Sequence, residues 1–81
     1  SELLRRVEEA ADAEDCDRVR IAAHSVKGVA ATLEARALTA EARRLELLGN
    51  DGDLAGVREA IPDFQRELAV VVEALQASLA R

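Results

Sequence analysis

The chain has 81 residues, a formal charge of −5, 49% apolar and 33% charged residues, which together describe one globular domain rather than a disordered segment. Its acidic balance argues against a nucleic-acid binder, and no apolar run approaches the length of a membrane span. Alanine and leucine dominate, β-branched residues are sparse, and Phe64 is the single aromatic, so the composition is that of a helical bundle.

The first predicted helix covers about residues 2–13 and sets Leu3, Leu4, Val7, Ala10 and Ala11 on one face. The acidic run Asp12-Ala13-Glu14-Asp15 ends it, and Asp15 is placed to cap the next helix. The second predicted helix, about 16–34, gathers Val19, Ala22, Ala23, Val26, Ala30 and Leu33 into one narrow stripe. A third takes over at about 37–48 with Leu38, Ala42, Leu45 and Leu48. Gly49-Asn50-Asp51-Gly52-Asp53 then reads as a turn, with Asp53 as the cap of the fourth helix. This last helix, about 54–79, repeats Leu54, Val57, Ile61, Phe64, Leu68, Val71, Val72, Leu75 and Leu79 at three-and-four spacing. Pro62 inside it predicts a kink or a short break. Four amphipathic helices with short connections close most simply as an all-α, antiparallel up-down four-helix bundle spanning residues 1–81 as a single domain.

Cys16 stands alone, so it offers neither a disulfide nor a metal cluster and reads as a small half-buried helix residue. With no signal peptide, a cytoplasmic setting is the expectation.

The second helix holds the only histidine and the only lysine, three residues apart, in His24-Ser25-Val26-Lys27-Gly28. An isolated histidine in a bundle is ordinarily a bystander or a satisfied core group. The helical wheel removes the core reading, because His24 lies about 140° from the centre of the apolar stripe. Neutral imidazole is nucleophilic near neutral pH and can accept a phosphoryl group on a ring nitrogen. That chemistry needs exposure, a nearby cation and open approach. Lys27 supplies the cation one turn away, and Gly28 and Ala31 keep the neighbouring surface low. Glycine in a helix interior costs about 1 kcal/mol against alanine, which steric access would justify. Arg20 flanks His24 on the lysine side. Ile21, off the main stripe, either packs against a neighbouring helix or stands exposed as an anchor for a partner. From Arg18 to Arg44 the local charge is +4, leaving −9 for the rest, a field that would steer an acidic partner toward the histidine.

The run from His24 to Leu33, preceded by Ala22-Ala23, resembles the H-x-x-K-G motif and following small residues of histidine phosphotransfer (HPt) domains. Leu38, Leu45-Glu46, the Gly-Asp turn and a long last helix with an internal proline are similarly placed, so the resemblance covers nearly the whole chain. Two departures stand out: the family usually has glycine ten residues after the histidine, where this chain has Glu34, and such domains commonly carry a further N-terminal helix. The resemblance implies a phosphorelay intermediate. His24 would take a phosphoryl group from a receiver-domain aspartate, or from a kinase, through Nε2 and pass it to another receiver, with Lys27 offsetting charge on the moving group. Arg20, Ile21, Gly28 and Ala31 would meet the partner. The domain itself would hold no metal or cofactor, and Mg²⁺ would come with the receiver.

The chain lacks a Gly-rich phosphate loop, so it would carry phosphate without making it. Partners would be receiver domains and a sensor histidine kinase, with no nucleic acid or membrane insertion. A monomer is expected, with self-association if a helix is missing. The phosphoacceptor domain of a chemotaxis-type kinase shares a similar H-S-x-K-G pattern, and a plain interaction bundle with an inert histidine is the alternative of a different class. The dimerisation and phosphoacceptor domain of other sensor kinases fits less well, since Ser25-Val26-Lys27-Gly28 lacks its acidic residue and proline turn.

Overall fold

A computed structural model describes residues 1–80; Arg81, the last residue of the expected domain, lies outside the described residues. The described chain forms four helices: α1 (Glu2–Asp12), α2 (Cys16–Thr32), α3 (Arg36–Asn50) and α4 (Leu54–Leu79). Each packs antiparallel to the next. Glu8 on α1 meets Gln65 on α4 at 3.2 Å, and Arg44 on α3 meets Asp63 on α4 at 3.1 Å, so the ring of helices closes as the expected up-down bundle.

The three connections are built alike. After α1 and α2, a glutamate takes the left-handed conformation, Glu14 at φ 56° and Glu34 at φ 57°, and after α3 Gly52 does so at φ 69°. In each case the two amides at the turn reach back to the helix just ended: Glu14 and Asp15 to the carbonyls of Ala11 and Ala10, Glu34 and Ala35 to Ala31 and Ala30, Gly52 and Asp53 to Gly49 and Leu48. This is the Schellman arrangement, which satisfies carbonyls that a helix end would leave without partners. The residue that completes it is also the N-cap of the next helix. Asp15 accepts from the Arg18 amide and Asp53 from the Gly56 amide, as the sequence predicts.

Helix α3 starts differently. Its N-cap is Ala35, with no side-chain bond, and its first turn carries no acid. Arg36 instead puts a cation at the positive end of the helix dipole, an arrangement that costs about 0.3–1 kcal/mol.

Several boundaries move from their predicted places. Helix α2 stops at Thr32 rather than 34 because Glu34 is left-handed. Leu33, assigned to the core stripe, is 45% exposed, since it follows the last turn of α2. Gly49 and Asn50 belong to α3 rather than to a turn. Gly49 is buried against α2, where an added Cβ would lie 2.8 Å from the Cys16 carbonyl oxygen and 2.9 Å from the Arg20 amide nitrogen. It is a packing glycine, and the turn is confined to residues 51–53. Pro62 sits inside a continuous α4, so no break occurs there.

The core joins Val7, Val19, Val26, Leu45, Val57 and Phe64, all essentially free of solvent contact, with Ala10, Ala23, Ala30, Ala42 and Ala60 between them. Alanines on facing helices let the axes approach. The apolar row of α4 is covered only in part. Leu68 is buried and Val71 and Val72 half-buried, whereas Leu75 and Leu79 are exposed. At 26 residues α4 outruns α1, which has 11. Cys16 is half-buried, as read from the sequence. None of the described helices is long and apolar enough to cross a membrane.

Candidate functional site

Helix α2 carries apolar residues inward at Val19, Ala23, Val26 and Ala30, and this fixes its rotation. His24 therefore emerges on the opposite side, with 68% of its side chain exposed. Lys27, at the border with α3, is less exposed at 31%. Gly28 is open: a Cβ built there meets nothing within 4 Å. No contact inside the chain demands a glycine at that position, so its helix-propensity cost has no internal compensation. Beside it the outer face of α2 is tied down by hydroxyls, Ser25 Oγ donating to the Ile21 carbonyl and Thr32 Oγ1 to the Gly28 carbonyl.

Glu46, named in the sequence only as part of the family resemblance, turns out to belong to the site. It projects from α3 with its side chain 18% exposed and bridges both residues of the motif. Nδ1 of His24 lies 2.5 Å from Glu46 Oε2, and Nζ of Lys27 lies 2.5 Å from Oε1. The contact to Lys27, the largest influence, and the contact to His24 hold the Glu46 carboxyl below its ordinary value of 4.5, with partial burial acting against them. Near neutral pH Glu46 is thus an anion that can only accept, and the facing Nδ1 must be the donor. That proton assignment leaves the Nε2 lone pair free and turned to solvent, provided the ring is neutral.

Packing at Gly49 makes the bridge possible. It lies three residues beyond Glu46, where the backbone of α3 runs close against that of α2. Leu45, on the residue before Glu46, is fully buried and fixes the rotation of α3.

The other predicted site residues surround this centre. Arg20 pairs with Asp17 at 2.8 Å on the same helix and forms no hydrogen bond with His24. Ile21 is 53% exposed and lines a shallow groove with Leu3 and Arg6 of α1 and Ser25. Ala31, exposed, lines another groove with Arg36, Thr39, Ala40 and Arg43 of α3. Among the described residues no group of three or more His, Cys, Asp or Glu is placed to hold a metal ion.

An exposed helical imidazole, oriented through Nδ1 by a carboxylate and carried on a four-helix bundle, has the features that phosphoryl carriage on a histidine requires. The family model described as Hpt domain matches residues 1–80, and the chain belongs to that family. Its members are phosphocarriers of phosphorelays, which interact with response-regulator receiver domains and kinases. No curated protein and no solved structure matches the chain.

Proposed function

We propose that this domain is a phosphorelay intermediate in which Nε2 of His24 accepts a phosphoryl group from a receiver aspartate and returns it to another. The observation that carries the reading is the Glu46–Nδ1 contact at 2.5 Å, because it leaves the exposed ring nitrogen as the nucleophile. In the forward step the Nε2 lone pair forms the N–P bond while the P–O bond to the donor carboxylate breaks. The electron pair leaves with that carboxylate. The Nδ1 proton stays on the ring, held by Glu46, and the positive character gained by the phosphorylated imidazole is offset by the carboxylate. The reverse step runs through the same contacts, since a protonated imidazole is a good leaving group.

Lys27 has a different position from the one its spacing suggests. Its ammonium is engaged by Glu46 at 2.5 Å, so it acts first by neutralising that anion. A modest swing of the flexible side chain would also bring the ammonium to the transferring oxygens. The receiver would supply Mg²⁺, which neutralises charge on the phosphoryl group. Arg20, Ile21, Gly28 and Ala31 would lie under the partner, with the small residues allowing close approach.

The test is transfer from a phosphorylated receiver domain, read as acid-labile, base-stable phosphate on the domain. His24→Gln should abolish the label, and a label that persists in this variant sinks the assignment.

A further inference from the structure

The arginines of the chain divide by whether they are satisfied internally. Arg5 and Arg6 pair with Glu2, Arg20 with Asp17, Arg44 with Asp63, Arg58 with Glu14 and Arg66 with Asp63. Among the described residues, Arg18, Arg36 and Arg43 have no carboxylate within the 4.0 Å of an ion pair. Arg18 faces the α1 side, in a groove that also holds Glu2 and Glu9. Arg36 and Arg43 lie on α3, seven residues and hence about 10.5 Å of helix apart. They border one groove with Ala31 and Ala40, whose remaining charged group is Glu34.

Two further observations single out this stripe. Arg36 opposes the helix dipole in a first turn that holds no acid, behind an N-cap that makes no side-chain bond; Glu34, just before that cap, shares the groove but forms no ion pair with it. Leu47, 53% exposed, follows Glu46 directly. The antiparallel register that sets Glu46 opposite His24 places Leu47 level with the histidine, while Ile21 stands about one turn away on α2.

Resting on the phosphotransfer reading above, we infer that the receiver docks across α2 and α3 together, with Arg36 and Arg43 steering its acidic face and Leu47 seated as an apolar anchor beside His24. The occupant follows from charge complementarity. A donor that presents an aspartyl phosphate brings an anionic face, and this is the surface where positive charge is left without internal partners. An apolar centre with a charged rim is the ordinary anatomy of a transient interface, and rim charges act chiefly on the association rate and its salt dependence.

The experiment uses a panel of receiver domains phosphorylated with acetyl phosphate and Mg²⁺, from which one discharged by the wild-type domain is chosen. The doubly reversed variant Arg36→Glu/Arg43→Glu should lower the second-order transfer rate at least tenfold at low salt and flatten its dependence on ionic strength. Arg36→Glu alone should slow transfer and yet melt a few degrees higher, because an acid at that position complements the dipole; a merely structural arginine would not move the two readouts in opposite directions. Leu47→Ala should raise the half-saturating receiver concentration several-fold while leaving the rate at saturation unchanged. Wild-type rate and salt slope in the double variant overturn the steering, and unchanged saturation in Leu47→Ala overturns the anchor. If the wild type discharges no receiver in the panel, the phosphotransfer reading fails first and this surface falls with it.

Discussion

Gly28 and Gly49 lie inside adjacent helices, and alanine at the two positions is expected to act in opposite directions. On propensity alone each replacement gains about 0.8–1 kcal/mol. At Gly28 the new methyl would meet nothing within 4 Å, so the whole gain should appear. At Gly49 it would lie 2.8 Å from the Cys16 carbonyl oxygen, 2.9 Å from the Arg20 amide nitrogen and 3.2 Å from the Arg20 Cα. These are backbone atoms and cannot rotate away, so α3 must retreat by roughly half an ångström. Overpacking of this kind costs about 1–3 kcal/mol, leaving a net loss of up to about 2 kcal/mol after the propensity gain. Urea denaturation of the two variants should therefore separate them by about 1–3 kcal/mol. The retreat also loosens the reach of Glu46 to His24, so Gly49→Ala should slow phosphotransfer. Gly28→Ala should be more stable, whereas a bulkier Gly28→Leu should impair receiver docking. Equal stabilisation by alanine at both positions would refute the close-approach reasoning.

The other expectations rest on separate features. Glu14→Gly and Glu34→Gly should each stabilise by about 1 kcal/mol or somewhat less, because left-handed backbone costs a non-glycine residue about 1–2 kcal/mol and glycine returns part of that as unfolded-state entropy; a lower melting temperature in both would contradict this. Phe64→Ala, at a side chain with no solvent contact, should cost about 3–5 kcal/mol in denaturant titration and is expected to leave the domain mostly unfolded. The Glu46 carboxyl is held below 4.5 in the fold, so its contribution to stability is fully present above that value and fades as pH falls through the lowered one. Measured in a His24→Gln background, the stability difference between Glu46 and Glu46→Gln should be flat from neutrality to about pH 5 and shrink below it; a difference that grows on acidification would reverse the assignment. Lys27→Ala should slow transfer, while circular dichroism stays unchanged; an unchanged transfer rate would remove its role.

Much of the fold was legible because helical periodicity is a local property. Asp15 and Asp53 cap where their sequence positions place them, and the inward row of α2 matches the wheel at Val19, Ala23, Val26 and Ala30. The misreadings arose where the meaning of a residue depends on another helix. Gly49 next to Asn50 has turn chemistry in isolation, yet the backbone of α2 makes it a contact point. Leu33, Leu75 and Leu79 continue an apolar pattern beyond the point where described neighbours cover them. Glu34, where the family commonly has glycine, itself takes the left-handed conformation, so the turn forms at an energetic cost.

The sequence by itself determined that His24 stands on the outward face of an amphipathic helix with Lys27 and Gly28 beside it, because a stripe of apolar residues fixes helix rotation before any partner is known. Only the tertiary structure placed a carboxylate against Nδ1 of His24, the contact on which the proposed role of Nε2 rests. Glu46 is 22 residues from His24 along the chain, and no local pattern pairs them. The antiparallel crossing of α2 and α3, set close by Gly49, brings that carboxylate to Nδ1 and leaves Nε2 open to the partner.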